Sequence, residues 1–262
     1  MASEPKVIFL HIPKTAGQSV HELLLANFDS ELVCPARVNE QLKALSDEEL
    51  NRYQVFSGHF DWNAFDGLRG ERFVFTILRD PIQRLLSFYF YLREQAEYFA
   101  SRGQLGADKA GLKAAYELTP WDYFVDPELP LRGFIDNHYD NFYTYYFAGR
   151  SYSARTQLRQ LLGPGRIFRD EKDLVRLARG NLAELDAVLP LERCFDVAEM
   201  LSAAVGRPIM VAERVHLNVG KTTPESRWAA LEALGAGEEV FSHLRAFCEW
   251  DNLLLRDLPR FQ

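Results

Sequence analysis

The chain has 262 residues, 47% of them hydrophobic and 13% aromatic, enough to bury the core of one α/β domain. Its formal net charge of −7 excludes a nonspecific nucleic-acid binder and leaves room only for a local basic groove. No apolar run approaches a membrane span, no signal peptide precedes Lys6, and Cys34, Cys194 and Cys248 are too scattered for a metal or redox motif, so the expected setting is reducing and cytoplasmic.

The first element is the apolar run Val7-Ile8-Phe9-Leu10, short enough for a strand buried on both faces. A compact turn from His11 to Gly17 follows, and Val20, Leu23, Leu24 and Phe28 then recur at helical spacing. Such a strand–loop–helix unit can hold an anion at the helix N-terminus, where N–H groups lack partners and the dipole is positive. Lys14 adds a full charge there, Thr15, Gln18 and Ser19 add side-chain donors, and Gly17 is expected to let a ligand approach the backbone. The unit is not a Walker A loop, because the first glycine and the Gly-Lys pair are missing. Alone, this pattern would also suit an ordinary strand-to-helix turn with a solvated lysine.

Residues 29–38 read as irregular, and Ser46-Asp47-Glu48-Glu49 starts a short helix to Arg52. Val55-Phe56-Ser57 is a brief strand leading into Gly58-His59-Phe60-Asp61, with Gly58 expected to leave room for substrate. Phe73 to Leu78 is a second buried strand that runs into Arg79-Asp80-Pro81, where Asp80 can cap a helix and Pro81 fits its first position. Ile82, Leu85, Leu86, Tyr89 and Leu92 mark one face of that helix. Residues 100–118 read as a mobile insertion, on account of Gly103, Gly106, Gly111 and many small polar residues.

A short helix is expected over 119–125 with Trp121 and Phe124 packed, and the aromatic stretch 137–147 reads as helix packing rather than a binding wall. Beyond Gly163-Pro164-Gly165, helices are expected over 173–185 and 196–205, with a strand at 187–191. A loop over 218–223, a helix opened by Pro224 and a last helix over 238–255 complete the chain. Strands separated by helices predict a single α/β domain, a mainly parallel sheet with helices on both faces. Ligands of such sheets bind at the carboxyl ends of the strands, where both His11–Ser19 and Arg79–Ser87 fall.

Arg79 can grip a phosphate with parallel N–H bonds, and Ser87, about two turns up the following helix, can donate a hydroxyl to the same group. HIPKTAGQS, residues 11–19, resembles the 5′-phosphosulfate loop of sulfotransferases, and RDPIQRLLSFY, residues 79–89, resembles their 3′-phosphate motif R-D-P-x-x-R-x-x-S-x-Y. The resemblance is to the carbohydrate sulfotransferase branch that includes heparan sulfate 2-O-sulfotransferase. Gly58-His59-Phe60 resembles the segment carrying that branch's catalytic histidine. Residues 178–201 resemble the elements before its nucleotide loop, and Lys221-Thr222-Thr223 resembles the loop that closes over the nucleotide.

The resemblance implies a P-loop-like fold and the donor 3′-phosphoadenosine 5′-phosphosulfate, with no metal. It implies that Lys14 contacts the sulfate and bridging oxygen, within a cradle of Thr15, Ala16, Gly17, Gln18 and Ser19. Arg79 and Ser87 would hold the 3′-phosphate, Lys221 and Thr222 would close the site, and Arg84 would be structural. His59 would be the general base toward a hydroxyl of a saccharide or glycolipid. Asp61 is a rival base, His11 an orienting residue, and His138 a packed one. Where many relatives carry a second histidine before the catalytic one, this chain has Ser57. The absence of a transmembrane anchor implies a soluble bacterial enzyme. Two other readings fit the motifs: a nucleotide-dependent kinase with a degenerate P-loop, and a non-catalytic nucleotide- or sugar-binding module.

Overall fold

The computed structural model describes residues 4–211, 223–256 and 258. Four parallel strands form one sheet in the order β2-β1-β3-β4: β1 Lys6–Leu10, β2 Val55–Gly58, β3 Arg72–Leu78 and β4 Ala187–Pro190. The helices are α1 Gly17–Asn27, α2 Asn39–Lys43, α3 Asp47–Arg52, α4 Pro81–Ala100, α5 Ala110–Glu117, α6 Pro120–Phe124, α7 Arg132–Tyr139 and α8 Phe142–Gly149. They continue with α9 Ala154–Gln160, α10 Glu171–Leu182, α11 Val197–Val205, α12 Pro224–Ala233, α13 Glu238–Ala246 and α14 Glu249–Arg256. None of the described helices is long and apolar enough to cross a membrane.

The near-continuous apolar strands reflect burial on both faces, as a parallel sheet requires. Val7 and Phe9 of β1 pack with Phe75 and Ile77 of β3 against α1 and α11, through Val20, Leu24 and Leu201. Ile8, Leu10, Phe56 and Leu78 face the other way, against Phe147 of α8, Leu174 and Ala178 of α10 and Leu254 of α14. A third core joins α4 to α5, α6, α7, α12 and α13 through Leu85, Tyr89, Ala115, Phe124, Tyr139, Leu231 and Leu244. The α/β fold with helices on both sheet faces is as the sequence indicates.

Some local expectations change. Of the stretch expected as an insertion, residues 101–106 are largely exposed turns, whereas α5 lies on α4, with Ala115 fully buried and its carbonyl accepting from Arg93 Nη1 at 2.6 Å. Trp121 is not packed: it is 41% exposed and its indole N–H donates to Glu239 at 2.9 Å. The helix expected over 238–255 is broken at Phe247-Cys248, between α13 and α14. Asn141 causes the break. Its backbone N–H donates to the Phe247 carbonyl at 2.7 Å, and its side-chain oxygen accepts from the N–H groups of Trp250 and Asp251 at 2.7 and 3.2 Å.

Asp251 returns the favour. Its carboxylate accepts from the N–H groups of Tyr143 and Thr144 at 3.0 and 2.7 Å, in the first turn of α8. Two helices far apart in sequence thus cap each other, each satisfying donors that a helix start leaves open. The pair matters for the site, because the α8 residue Tyr143 donates its hydroxyl to the Arg79 carbonyl at 3.1 Å and accepts from the Arg79 N–H at 3.2 Å.

Asp251 is 1% exposed, and burial raises its carboxyl to about 6 despite the N–H bonds from Thr144 and Tyr143. The folded state therefore holds this proton more tightly than the unfolded chain. The contribution of Asp251 to stability is full below about pH 4 and declines as pH rises to about 6, by about 3 kcal/mol. In Asp251→Asn this slope is expected to vanish. Thermal denaturation of both proteins across that pH range checks it, and parallel stability curves would contradict it.

Candidate active site

The carboxyl ends of β1, β2 and β3 open into one cleft of about 930 Å³. It is lined by Lys14, Ala16, Gly17, Gln18 and Ser19 from the first loop, His59 from the end of β2, and Arg79 and Ser87 from the second motif. Of the residues expected to bind, Thr15 alone among the described ones does not line it. Thr15 is fully buried and its hydroxyl donates to the Ile12 carbonyl at 2.8 Å, so its side chain braces the turn. Gln18 donates its amide to Glu22 at 2.8 Å along the outer face of α1. Lys221 and Thr222 lie outside the described residues.

Between β1 and α1 the backbone is left-handed at Lys14 and Ala16, with φ of 72° and 61°. Such conformations cost non-glycine residues of order 1 kcal/mol or more and, within a turn, aim successive N–H groups into an anion-binding hollow. Gly17 is needed for a steric reason that the sequence did not show. A Cβ there would lie 1.7 Å from His11 Nε2, so the His11 imidazole already packs against this residue. Gly58 is likewise crowded: its Cβ would meet the Arg37 carbonyl and the Phe60 ring at 2.5 Å, which leaves no room for substrate.

Cations gather at the Lys14 end of the cleft. Burial lowers the pKa of Lys14, opposed by Glu94 and reinforced by Arg79 and Arg227. Burial also lowers Arg79, and it lowers Arg227, which feels Arg79 in addition. Arg227 is 5% exposed and donates to Gln83 at 3.0 Å; the Lys14 ammonium rests 4.1 Å from the Tyr91 ring centre. Cations that repel one another in a half-buried cleft are a strained set that an anion relieves. The frame around them is rigid. Asp80 caps α4 by accepting from the Gln83 N–H at 2.9 Å, with Pro81 at the first position. Arg84 is buried, donates to the His138 carbonyl at 2.9 Å and stacks over Phe142, a structural role as expected.

His59 stands at the other end. Its N–H donates to the Arg37 carbonyl at 2.8 Å, and its Nδ1 lies 2.9 Å from the His11 carbonyl. A carbonyl can only accept, so Nδ1 carries the proton of the neutral ring and Nε2 keeps the basic lone pair. Burial lowers the His59 pKa; the His11 carbonyl opposes this and Arg37 adds to it. The ring is therefore neutral at pH 7 and able to take a proton. His11 stacks on His59 with centroids 4.2 Å apart and on Phe9 at 5.5 Å, which makes it an orienting residue. Asp61 does not line the cleft; its carboxylate accepts from the Tyr152 N–H at 2.8 Å and sits 3.7 Å from Lys43. His138 stacks on Phe88 and bonds the Phe134 carbonyl, packed as expected although it borders the cleft.

Sequence reasoning missed Arg37, Tyr91 and Tyr152, which line the cleft, and Arg227, which stands near Arg79. Tyr91 lies on α4 two residues past the second motif, and the other three come from segments with no local motif. Among the described residues no group of His, Cys, Asp and Glu is placed to hold a metal.

Residues 1–126 match the model of the Sulfotransferase family. A protein-tyrosine sulfotransferase of Arabidopsis thaliana is 31% identical over 129 residues, 45% of this chain and 25% of that protein. The chain thus aligns with about a quarter of that relative's length. Both comparisons support a sulfotransferase. The stretch matched by the family model contains the Lys14 loop, His59, Arg79 and Ser87, whereas Tyr152 and Arg227 lie beyond it.

Gly17→Ala is expected to destabilise the fold by about 1–3 kcal/mol, the usual cost of overpacking. The cost should largely vanish in a His11→Ala background, because the methyl then meets no ring. Denaturant melts of the single and double variants decide it; a cost that persists without His11 would contradict the contact.

Proposed function

We propose that this protein transfers a sulfuryl group from 3′-phosphoadenosine 5′-phosphosulfate to a hydroxyl of a saccharide. The observation that carries this reading is convergence: the Lys14 loop, Arg79, Ser87 and a histidine whose Nδ1 faces a carbonyl share one cleft. The loop N–H groups and Lys14 hold the 5′-phosphosulfate, Arg79 and Ser87 hold the 3′-phosphate, and Arg227 adds charge beside Arg79. Lys221 and Thr222 close the nucleotide site in this reading.

Chemistry follows the logic of phosphoryl transfer, in which positioning and charge stabilisation supply most of the rate. The acceptor oxygen attacks sulfur in line as the bond from sulfur to the bridging oxygen breaks. His59 Nε2 takes the hydroxyl proton, Lys14 stabilises the charge that develops on the bridging oxygen, and adenosine 3′,5′-bisphosphate leaves.

Arg37 supports an acidic acceptor. It is half-buried, lines the cleft beside His59, makes no ion pair among the described residues, and has only Ser57 Oγ at 3.4 Å as a side-chain partner. A guanidinium in that position suits a carboxylate near the reacting hydroxyl. The tyrosine sulfotransferase relative favours a second reading, with a tyrosine phenol in place of the sugar hydroxyl.

Radiolabelled sulfate donor, offered with an acidic oligosaccharide, its carboxyl-reduced form and a tyrosine peptide, tests the reading. Label is expected on the acidic oligosaccharide, and Arg37→Gln should raise its KM about tenfold or more, the worth of a charged hydrogen bond. Label on the peptide alone would replace the saccharide by tyrosine. No sulfate transfer, with phosphoryl transfer from ATP instead, would overturn the proposal in favour of a kinase.

A further inference from the structure

Tyr152 enters the cleft from the turn after α8, 93 residues beyond the base. Its hydroxyl donates to the His11 carbonyl at 2.7 Å, the same oxygen that receives the Nδ1 proton of His59, and lies 3.3 Å from Nδ1 itself. The phenol ring meets the imidazole edge-on, with centroids 6.2 Å apart and planes at 86°. Behind it pack Tyr146 at 5.0 Å and Phe142 at 5.6 Å. Its backbone N–H is the donor held by Asp61 Oδ1, and the Asp61 N–H in turn donates to Asn39 Oδ1 at 2.7 Å.

We propose that Tyr152 is a positioning residue for the base, fixing the tautomer and orientation of His59, and that Asp61 acts on the reaction only through Tyr152. The statement about turnover rests on the sulfuryl-transfer reading above; the statement about the tautomer does not. A neutral imidazole has two tautomers of similar energy, and only one leaves Nε2 basic. The His11 carbonyl selects it, provided that this oxygen stays where the Nδ1 proton points. The Tyr152 hydroxyl pins the oxygen from the second side, and the ring edge blocks rotation of the imidazole. A phenylalanine would pack as well against Tyr146 and Phe142, so packing alone does not account for the hydroxyl. The charged and titratable groups that face this pair are Arg37 and His11 beside His59, and Asp61, Tyr146 and Arg84 beside Tyr152.

Tyr152→Phe keeps the ring and removes the hydroxyl. Nitrogen NMR of protein labelled in its histidines, with His59→Ala to assign the signal, reads the tautomer directly. Wild-type His59 is expected to show a protonated Nδ1 and a bare Nε2 at neutral pH, and Tyr152→Phe a mixture of both tautomers. Turnover of the variant should fall about tenfold or more, with the KM of the acceptor and the affinity for adenosine 3′,5′-bisphosphate changed less than about twofold. Asp61→Ala should produce the same pattern, and the double variant should fall no further than the worse single one. An unchanged tautomer in Tyr152→Phe, or additive losses in the double variant, would overturn the inference. Wild-type protein that shows the expected tautomer but transfers no sulfate would instead overturn the functional reading.

Discussion

The His11 imidazole fills the space over Gly17 and stacks on His59, and the architecture of the site depends on that wedge. One ring touches the first residue of α1, where the proposed anion cradle lies, and the side chain proposed as the base. The same residue's carbonyl receives the His59 Nδ1 proton and the Tyr152 hydroxyl. Cradle and base are thus one packed unit, not two motifs that happen to face a common cleft. The parallel register of β1 with β2, Leu10 against Gly58, brings them to the same edge of the sheet.

Electrostatics supply the second constraint. The protein as a whole is acidic, yet Lys14, Arg79 and Arg227 are close enough to repel one another at one end of the site, and Arg37 stands beside the histidines. Burial makes each of these charges costly, and the glutamates that Lys14 and Arg79 feel, Glu94 and Glu192, offset the cost only in part. The paired helices α8 and α14 hold this arrangement in place. Asp251 and Asn141 cap each other's helices, α8 then delivers Tyr143 to the Arg79 backbone, and the chain leaves α8 toward Tyr152.

What was legible in the sequence was local. The Asp80-Pro81 cap, the buried strands and the strand–loop–helix around Lys14 each carry their signal within a few residues. Gly17 and Gly58 show where local reading stops. Both mark close approaches, as glycines often do. The approaching groups, however, are the His11 ring and the Arg37 carbonyl, which only the folded chain brings near. Arg37 and Tyr152 left no trace in the sequence because each reaches the cleft from an element with no motif of its own, and Arg227 comes near Arg79 in the same way. Asp61 looked like a rival base because it sits two residues from His59, yet the turn after His59 carries its carboxylate away to the Tyr152 backbone. The split between α13 and α14 was invisible because its cause, Asn141, lies 105 residues before Ala246.

In the proposed reaction one cleft separates donor binding, carried by the cations, from proton abstraction, carried by His59. Steady-state sulfate transfer and calorimetry with adenosine 3′,5′-bisphosphate on folded His59→Ala test it most directly. The expected result is a loss of turnover of roughly 10²–10⁴-fold, typical of a missing acid–base group, with nucleotide affinity nearly intact. Full turnover in His59→Ala, or a loss of nucleotide affinity as large as the loss of turnover, would contradict it.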